Sequence, residues 1–166
     1  MRILIEELQD VLSDEFKLYK EMLQITTQKT DIITSGKIND LDSITHLENS
    51  MILNLGKLEE RREKVLNNIE KHLGAEEKLT IADILSQVND SDGIRQKIEG
   101  VANMMSQVLD ELKEKNDLNG LLIKDTLEYI ELNINLLTNV SERGIYNNKV
   151  QKENTAQKIS LFDSKA

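Results

Sequence analysis

The 166-residue chain has no cysteine, no proline and no tryptophan, and only 3% of it is aromatic. Without cysteine there is no disulfide framework, no thiolate metal site and no catalytic thiol. Proline makes up about 5% of an average protein. A chain of this length without any has few sharp turns and tolerates long uninterrupted helices. The shortage of aromatics leaves the core to aliphatic side chains. Positive charge is also short: 21 Lys+Arg face 30 Asp+Glu, a net charge of −9. That balance argues against a dedicated nucleic-acid binder, which must set cations against phosphates. No apolar run approaches the roughly 20 residues that a membrane-spanning helix needs. Glu6 and Glu7 fall where a signal peptide would continue its apolar stretch. We therefore expect a soluble cytoplasmic protein with no membrane insertion.

What is present is helical periodicity. Leu4, Leu8, Val11/Leu12, Leu18/Tyr19, Met22/Leu23, Ile25 and Ile32 recur at steps of three and four, one stripe on a helix over about Ile3 to Ile33. Ser35-Gly36 is its stop signal. The second helix is expected from Asn39, read as its N-cap, to Gly74. Its seam is Leu41, Ile44, Leu47, Met51, Leu55, Leu58, Val65, Ile69 and Leu73, with Arg62 in the slot between Leu58 and Val65. A charged residue there needs an acid or carbonyls, or must snorkel to solvent. Thr80, Asp83, Leu79 and Ile84 carry the pattern of a capping box and hydrophobic staple for a short helix over 80–88.

The last segment is the longest. Ile94, Ile98, Val101, Met105, Val108, Leu112, Leu122, Leu127, Ile130, Ile134, Leu137 and Val140 keep helical spacing, with Asn116 and Asn119 at the two seam positions in between. Buried amides at such positions fix helix register at some expense in stability. Asn119-Gly120 would signal a hairpin between strands. Here the apolar phase is the same on both sides, so the reading is one continuous helix. Arg143-Gly144 interrupts the pattern, and 147–158 is polar with little to bury. The expected fold is thus all-α: an elongated antiparallel helical bundle or coiled coil with one short helix and a very long last helix. Residues 1–140 form the bundle domain, and 141–166 a polar tail, mobile alone or helical when a partner binds.

The motifs of catalysis are missing. The seven glycines give no phosphate-binding loop. His46 and His72 are far apart in sequence, and no Glu-x-x-His motif is present to build a di-iron bundle. His72 sits where a cation complements a helix C-terminus. No enzyme, metal or cofactor is expected. The run Glu59-Glu60-Arg61-Arg62-Glu63-Lys64 reads as a solvated helix face, Arg62 apart.

A candidate site follows from length. At 1.5 Å per residue the first two helices span about 50 Å each, and the last about 70 Å. The stripe Leu127, Ile130, Ile134, Leu137 and Val140 is therefore left without full intramolecular cover and invites an amphipathic helix from another chain, unless the first helix and the tail fold back over it. Ile159, Leu161 and Phe162 add a small apolar cluster near the end of the sequence. The alternative is a structural coiled-coil protein that self-associates through the same stripe.

Several of these residues carry a family likeness. Leu8, Leu12, Tyr19 and Leu23; Leu55-x-x-Leu58-Glu59-x-x-Arg62; Leu79-Thr80-x-x-Asp83-Ile84; Leu112-x-x-x-Asn116-x-x-Asn119-x-x-Leu122; and Phe162-Asp163-x-Lys165-Ala166 occur in that order. The sequence resembles the FlgN family of flagellar type III export chaperones over nearly its whole length. The resemblance implies a cytoplasmic chaperone, without ATPase activity of its own, for the hook–filament junction proteins FlgK and FlgL. It implies binding of the cargo's C-terminal amphipathic region, delivery to the export apparatus, and a cargo site from roughly Leu127 onward.

Overall fold

A computed structural model describes residues 1–75, 77–87 and 93–148, with side chains through Leu136. The described residues form four helices: α1 (Arg2–Thr34), α2 (Ile38–Leu73), α3 (Ile81–Ser86) and α4 (Ile94–Asn148). No strand occurs among the described residues, and the all-α bundle expected from the sequence is the fold.

The helix ends show why the chain turns where it does. After α1, Gly36 adopts φ 68°, and the amides of Gly36 and Lys37 donate to the carbonyls of Ile33 and Ile32 at 3.1 and 3.2 Å. This paired closure satisfies the last carbonyls, and it needs a left-handed residue that glycine supplies without strain. Gly74 repeats it after α2, again at φ 68°, with Ala75 donating to the Glu70 carbonyl at 3.0 Å. The start of α2 departs from the reading of Asn39 as its N-cap. The helix already begins at Ile38, with Lys37 before it, and no side chain caps it. The tight closure of α1 leaves only Ser35–Lys37 between the helices, and the Ile38 amide turns back to the Gly36 carbonyl at 3.1 Å. The Leu41 amide donates to the Lys37 carbonyl at 3.1 Å, so Asn39 lies inside the first turn and not at its cap.

The short helix forms as its sequence predicts. The Asp83 amide donates to the Thr80 hydroxyl at 3.1 Å, and the Thr80 amide donates to the Asp83 carboxylate at 3.0 Å. Ile84 and Leu85 are buried beneath it, and the Leu79 amide donates to Glu70 on α2 at 2.9 Å. Val88, the expected last residue of this element, lies outside the described residues.

Packing is divided along the length of α1. One apolar cluster holds Ile5, Leu8 and Leu12 of α1, Val65 and Ile69 of α2, Ile84 and Leu85 of α3, and Ile98 of α4. Each such side chain contributes about 1.5–3 kcal/mol when fully buried. Further along, where Ile44, Met51 and Leu112 are also buried, polar pairs join the apolar packing: Glu15 with Arg62, Lys29 with Glu48, and Thr26 and Thr30 with Asn119. These pairs show that α1 and α2 run antiparallel. Ile5 shares the cluster with Ile98 and Thr26 bonds Asn119, so α1 and the first part of α4 run parallel.

The helix α4 passes through Asn119-Gly120 without a break, as the unchanged apolar phase predicts. It also passes through Arg143-Gly144 to Asn148, where the sequence pattern suggested an interruption. A single glycine in a helix costs only about 1 kcal/mol relative to alanine. The chain divides into two compact units at Ile123/Lys124.

Candidate functional site

Two groups of side chains stood out in the sequence, the polar seam and the distal apolar stripe. In the seam, Arg62 finds its acid. Its guanidinium donates to Glu15 Oε2 at 2.7 Å, and the Glu15 side chain is fully buried. The other oxygen, Oε1, is buried without a hydrogen-bond partner. Burial pushes the Glu15 carboxyl above the usual glutamate range, Arg62 opposes this, and Glu59 adds to it. Burial likewise raises the nearby Tyr19 phenol, with help from Glu59 and Glu15. Glu15 was not among the seam residues read from the sequence. The signal was there: 8, 12, 15 and 19 step by four, three and four, which places Glu15 in the apolar stripe.

The paired asparagines separate. Asn119 is buried; its amide donates to the Thr26 carbonyl at 3.0 Å, and its carbonyl accepts from the Thr30 hydroxyl at 2.7 Å. These two bonds tie α4 to α1. Asn116 is exposed, which corrects its placement in the seam. From Leu112 the buried face steps first by three, to half-buried Lys115, and then by four, to Asn119. The aliphatic stem of a lysine covers such a position while its ammonium reaches water. The sequence had no way to choose between a step of three and one of four there, because a lysine does not announce itself as a seam residue.

The distal stripe is exposed where its side chains are described. Leu127 is 61%, Ile130 46% and Ile134 55% exposed. Leu137 and Val140 lie in α4, but their side chains are outside the described residues, as are Ile159, Leu161 and Phe162 altogether. Three further large side chains on this stretch were not singled out in the sequence: Tyr129, Leu132 and Leu136, between 55% and 68% exposed. Their spacing of three and four was legible. They were passed over because they lie about half a turn from the stripe being followed. Apolar residues scattered singly over a surface need no explanation. Six within three turns of one helix are a concentration of a different kind.

Other large apolar side chains are exposed among the described residues, including Ile38, Ile52 and Leu53 on α2 and Leu118 and Leu121 on α4. The groove between α1 and α2 is lined by Asp14, Lys17, Glu21, Lys57 and Arg61, and its charges offset one another: Lys17 and Arg61 both reach Asp14, at 3.1 and 3.7 Å. Among the described residues no cluster of His, Asp or Glu is placed to hold a metal ion. None of the described helices is long and apolar enough to cross a membrane.

With this geometry in view, comparison with known proteins decides the family. The family model described as FlgN protein matches residues 1–154. The chain belongs to the FlgN family. Among curated proteins, it is 28% identical over 150 residues to a Bacillus subtilis (strain 168) protein described as uncharacterized protein YvyG, covering 90% of this chain and 91% of that one. No solved structure matches. Membership of the FlgN family suggests a flagellar export chaperone.

Proposed function

We propose that this protein is a cytoplasmic export chaperone that holds the C-terminal amphipathic segments of the hook–filament junction proteins FlgK and FlgL, or proteins like them. In this reading it blocks their premature assembly and brings them to components of the export apparatus. The observation that carries the reading is the FlgN family match across residues 1–154. The exposure of Leu127, Ile130 and Ile134 supports the site. An amphipathic helix laid on that stripe buries apolar area on both partners. Each side chain that goes from exposed to buried contributes about 1.5–3 kcal/mol before association costs are met. Leu137 and Val140 extend the stripe in sequence, with Ile159, Leu161 and Phe162 supplying further apolar contacts from the 141–166 tail. The acid excess keeps the chaperone soluble and steers it toward basic surfaces.

The test is calorimetric titration of the chain with purified FlgK and FlgL. We expect a one-to-one complex, and we expect Leu127→Asp with Ile130→Asp to abolish it while the helical circular dichroism is retained. Absence of binding by the unaltered chain would refute the reading. A stable obligate homodimer that the same pair of substitutions dissolves would favour the structural coiled-coil alternative.

A further inference from the structure

The exposed apolar side chains between Lys124 and Leu136 lie on two faces of α4. At 100° per residue, Leu127, Ile130 and Ile134 cluster around one direction, and Tyr129, Leu132 and Leu136 around another about 160° away. All six are between 46% and 68% exposed. The two faces are separated on one side by a charged ridge, Lys124, Glu128 and Glu131, in which Lys124 lies 3.7 Å from Glu128. On the other side the divider is uncharged, Thr126 and Asn133, and the Asn133 amide donates to the Tyr129 carbonyl at 2.7 Å. One straight helix covers a stripe of about 100°. It cannot cover both faces.

We propose that one partner polypeptide grips this segment between two amphipathic helices, one on each face, and leaves the charged ridge in water. This rests on the chaperone reading above and deepens it. A second copy of the chain is the poorer occupant. A two-fold pair buries the same patch on each copy, so the opposite face of each helix stays open, and covering both faces by self-association generates an open chain of molecules. Charge points the same way. The stretch carries Asp125, Glu128 and Glu131 against Lys124 alone, with Asp125 at the head of the Tyr129, Leu132 and Leu136 face and the others on the ridge, so a second copy brings like charge to both. Helices flanked by Lys or Arg complement it. The partner is therefore a chain with two aliphatic amphipathic helices, basic at their edges, that it can bring to one place.

The experiment compares two paired variants of the full chain, Leu127→Asp/Ile130→Asp and Leu132→Asp/Leu136→Asp. Each is titrated with full-length FlgK and with the isolated C-terminal segment of FlgK. We expect each pair to lower affinity for full-length FlgK at least tenfold. The isolated segment should bind at least tenfold more weakly than full-length FlgK and respond to one pair only. If Leu132→Asp/Leu136→Asp stays within threefold of the unaltered chain while the other pair loses tenfold, the two-sided grip is wrong and the chaperone reading survives. If neither pair matters while the unaltered chain binds FlgK, the site lies elsewhere: the two-sided grip is overturned and the chaperone reading survives. If Leu132→Asp/Leu136→Asp merely turns a dimer into a monomer without loss of FlgK affinity, that face serves self-association and the proposal is overturned. Should the aspartates lower the helical dichroism, Leu132→Ala/Leu136→Ala replaces that pair, with a threefold loss expected and no loss overturning the proposal.

Discussion

Arg62 on α2 holds Glu15 on α1 through one oxygen at 2.7 Å, and leaves the other oxygen of that carboxylate buried without a hydrogen bond. The pair stands where polar contacts begin to join the aliphatic packing of α1. Its energetics are asymmetric. Two charges brought out of water lose hydration that their attraction only partly offsets, so the intact pair adds little. Removing one partner strands the other. Arg62→Met should therefore destabilise the fold by about 3–5 kcal/mol. The double variant Glu15→Leu/Arg62→Met should recover most or all of that loss. Urea denaturation of the two variants checks both, and a double variant no better than Arg62→Met would show that the polar pair itself holds the helices together.

The same pair gives a pH dependence opposite in sign to that of most carboxylates. The Glu15 pKa is raised in the folded state, chiefly by burial, so the folded protein binds that proton more tightly than the unfolded chain does. Its contribution to stability is then fully present below the ordinary glutamate value of 4.5 and is lost as pH rises through the elevated folded value. Glu15→Gln removes this term. The stability of Glu15→Gln relative to the unaltered protein should rise between pH 4 and pH 7, measured by chemical denaturation at matched ionic strength. A relative stability that falls over this range would mean that Arg62, not burial, dominates the site.

Asn119 and Asn116 are three residues apart and should behave differently. Asn119→Ala removes both bonds to α1 and leaves a small cavity, at a loss of about 1–3 kcal/mol. Asn116→Ala, at an exposed position, should stay within about 0.5 kcal/mol of the unaltered protein. Thermal denaturation of the two variants separates them. Equal losses would put Asn116 back into the seam.

These residues also show which features the sequence made legible. Gly36, Gly74 and the Thr80/Asp83 box are local signals, each complete within a few residues, and each does in the structure what its local chemistry predicts. The aliphatic stripes of α1 and α2 were legible because their period is that of the helix. What was not legible depends on distant partners. Glu15 carries the sequence signature of a solvated acid, and only the guanidinium of Arg62, 47 positions away, makes its burial tolerable. Asn116 and Asn119 fit the seam equally well by spacing, and the choice was made by Thr26 and Thr30 on α1. In α4 one stripe was followed to its end. The opposite face was missed because a helix with two apolar faces has no simple amphipathic pattern to follow.

The capping box supplies a last prediction, with the opposite pH sign to Glu15. Hydrogen bonds from the Thr80 side chain and backbone hold the Asp83 carboxyl below the usual aspartate range. A depressed pKa means that its stabilising contribution is present above the ordinary value and is lost as pH falls through the folded value. The loss is local, because the carboxylate is exposed and serves only the first turn of α3. Acidification to pH 3 should therefore speed amide exchange in Ile81–Ser86 well before it affects the amides of the Ile5–Ile98 cluster. Thr80→Ala should reproduce the effect at neutral pH, at about 1 kcal/mol for the lost cap. Ile84 and Leu85 are buried in that cluster, so the helix should fray at its start and stay docked at its end. Exchange that accelerates uniformly along α3 and the cluster would show that the cap is needed to hold α3 on the bundle at all.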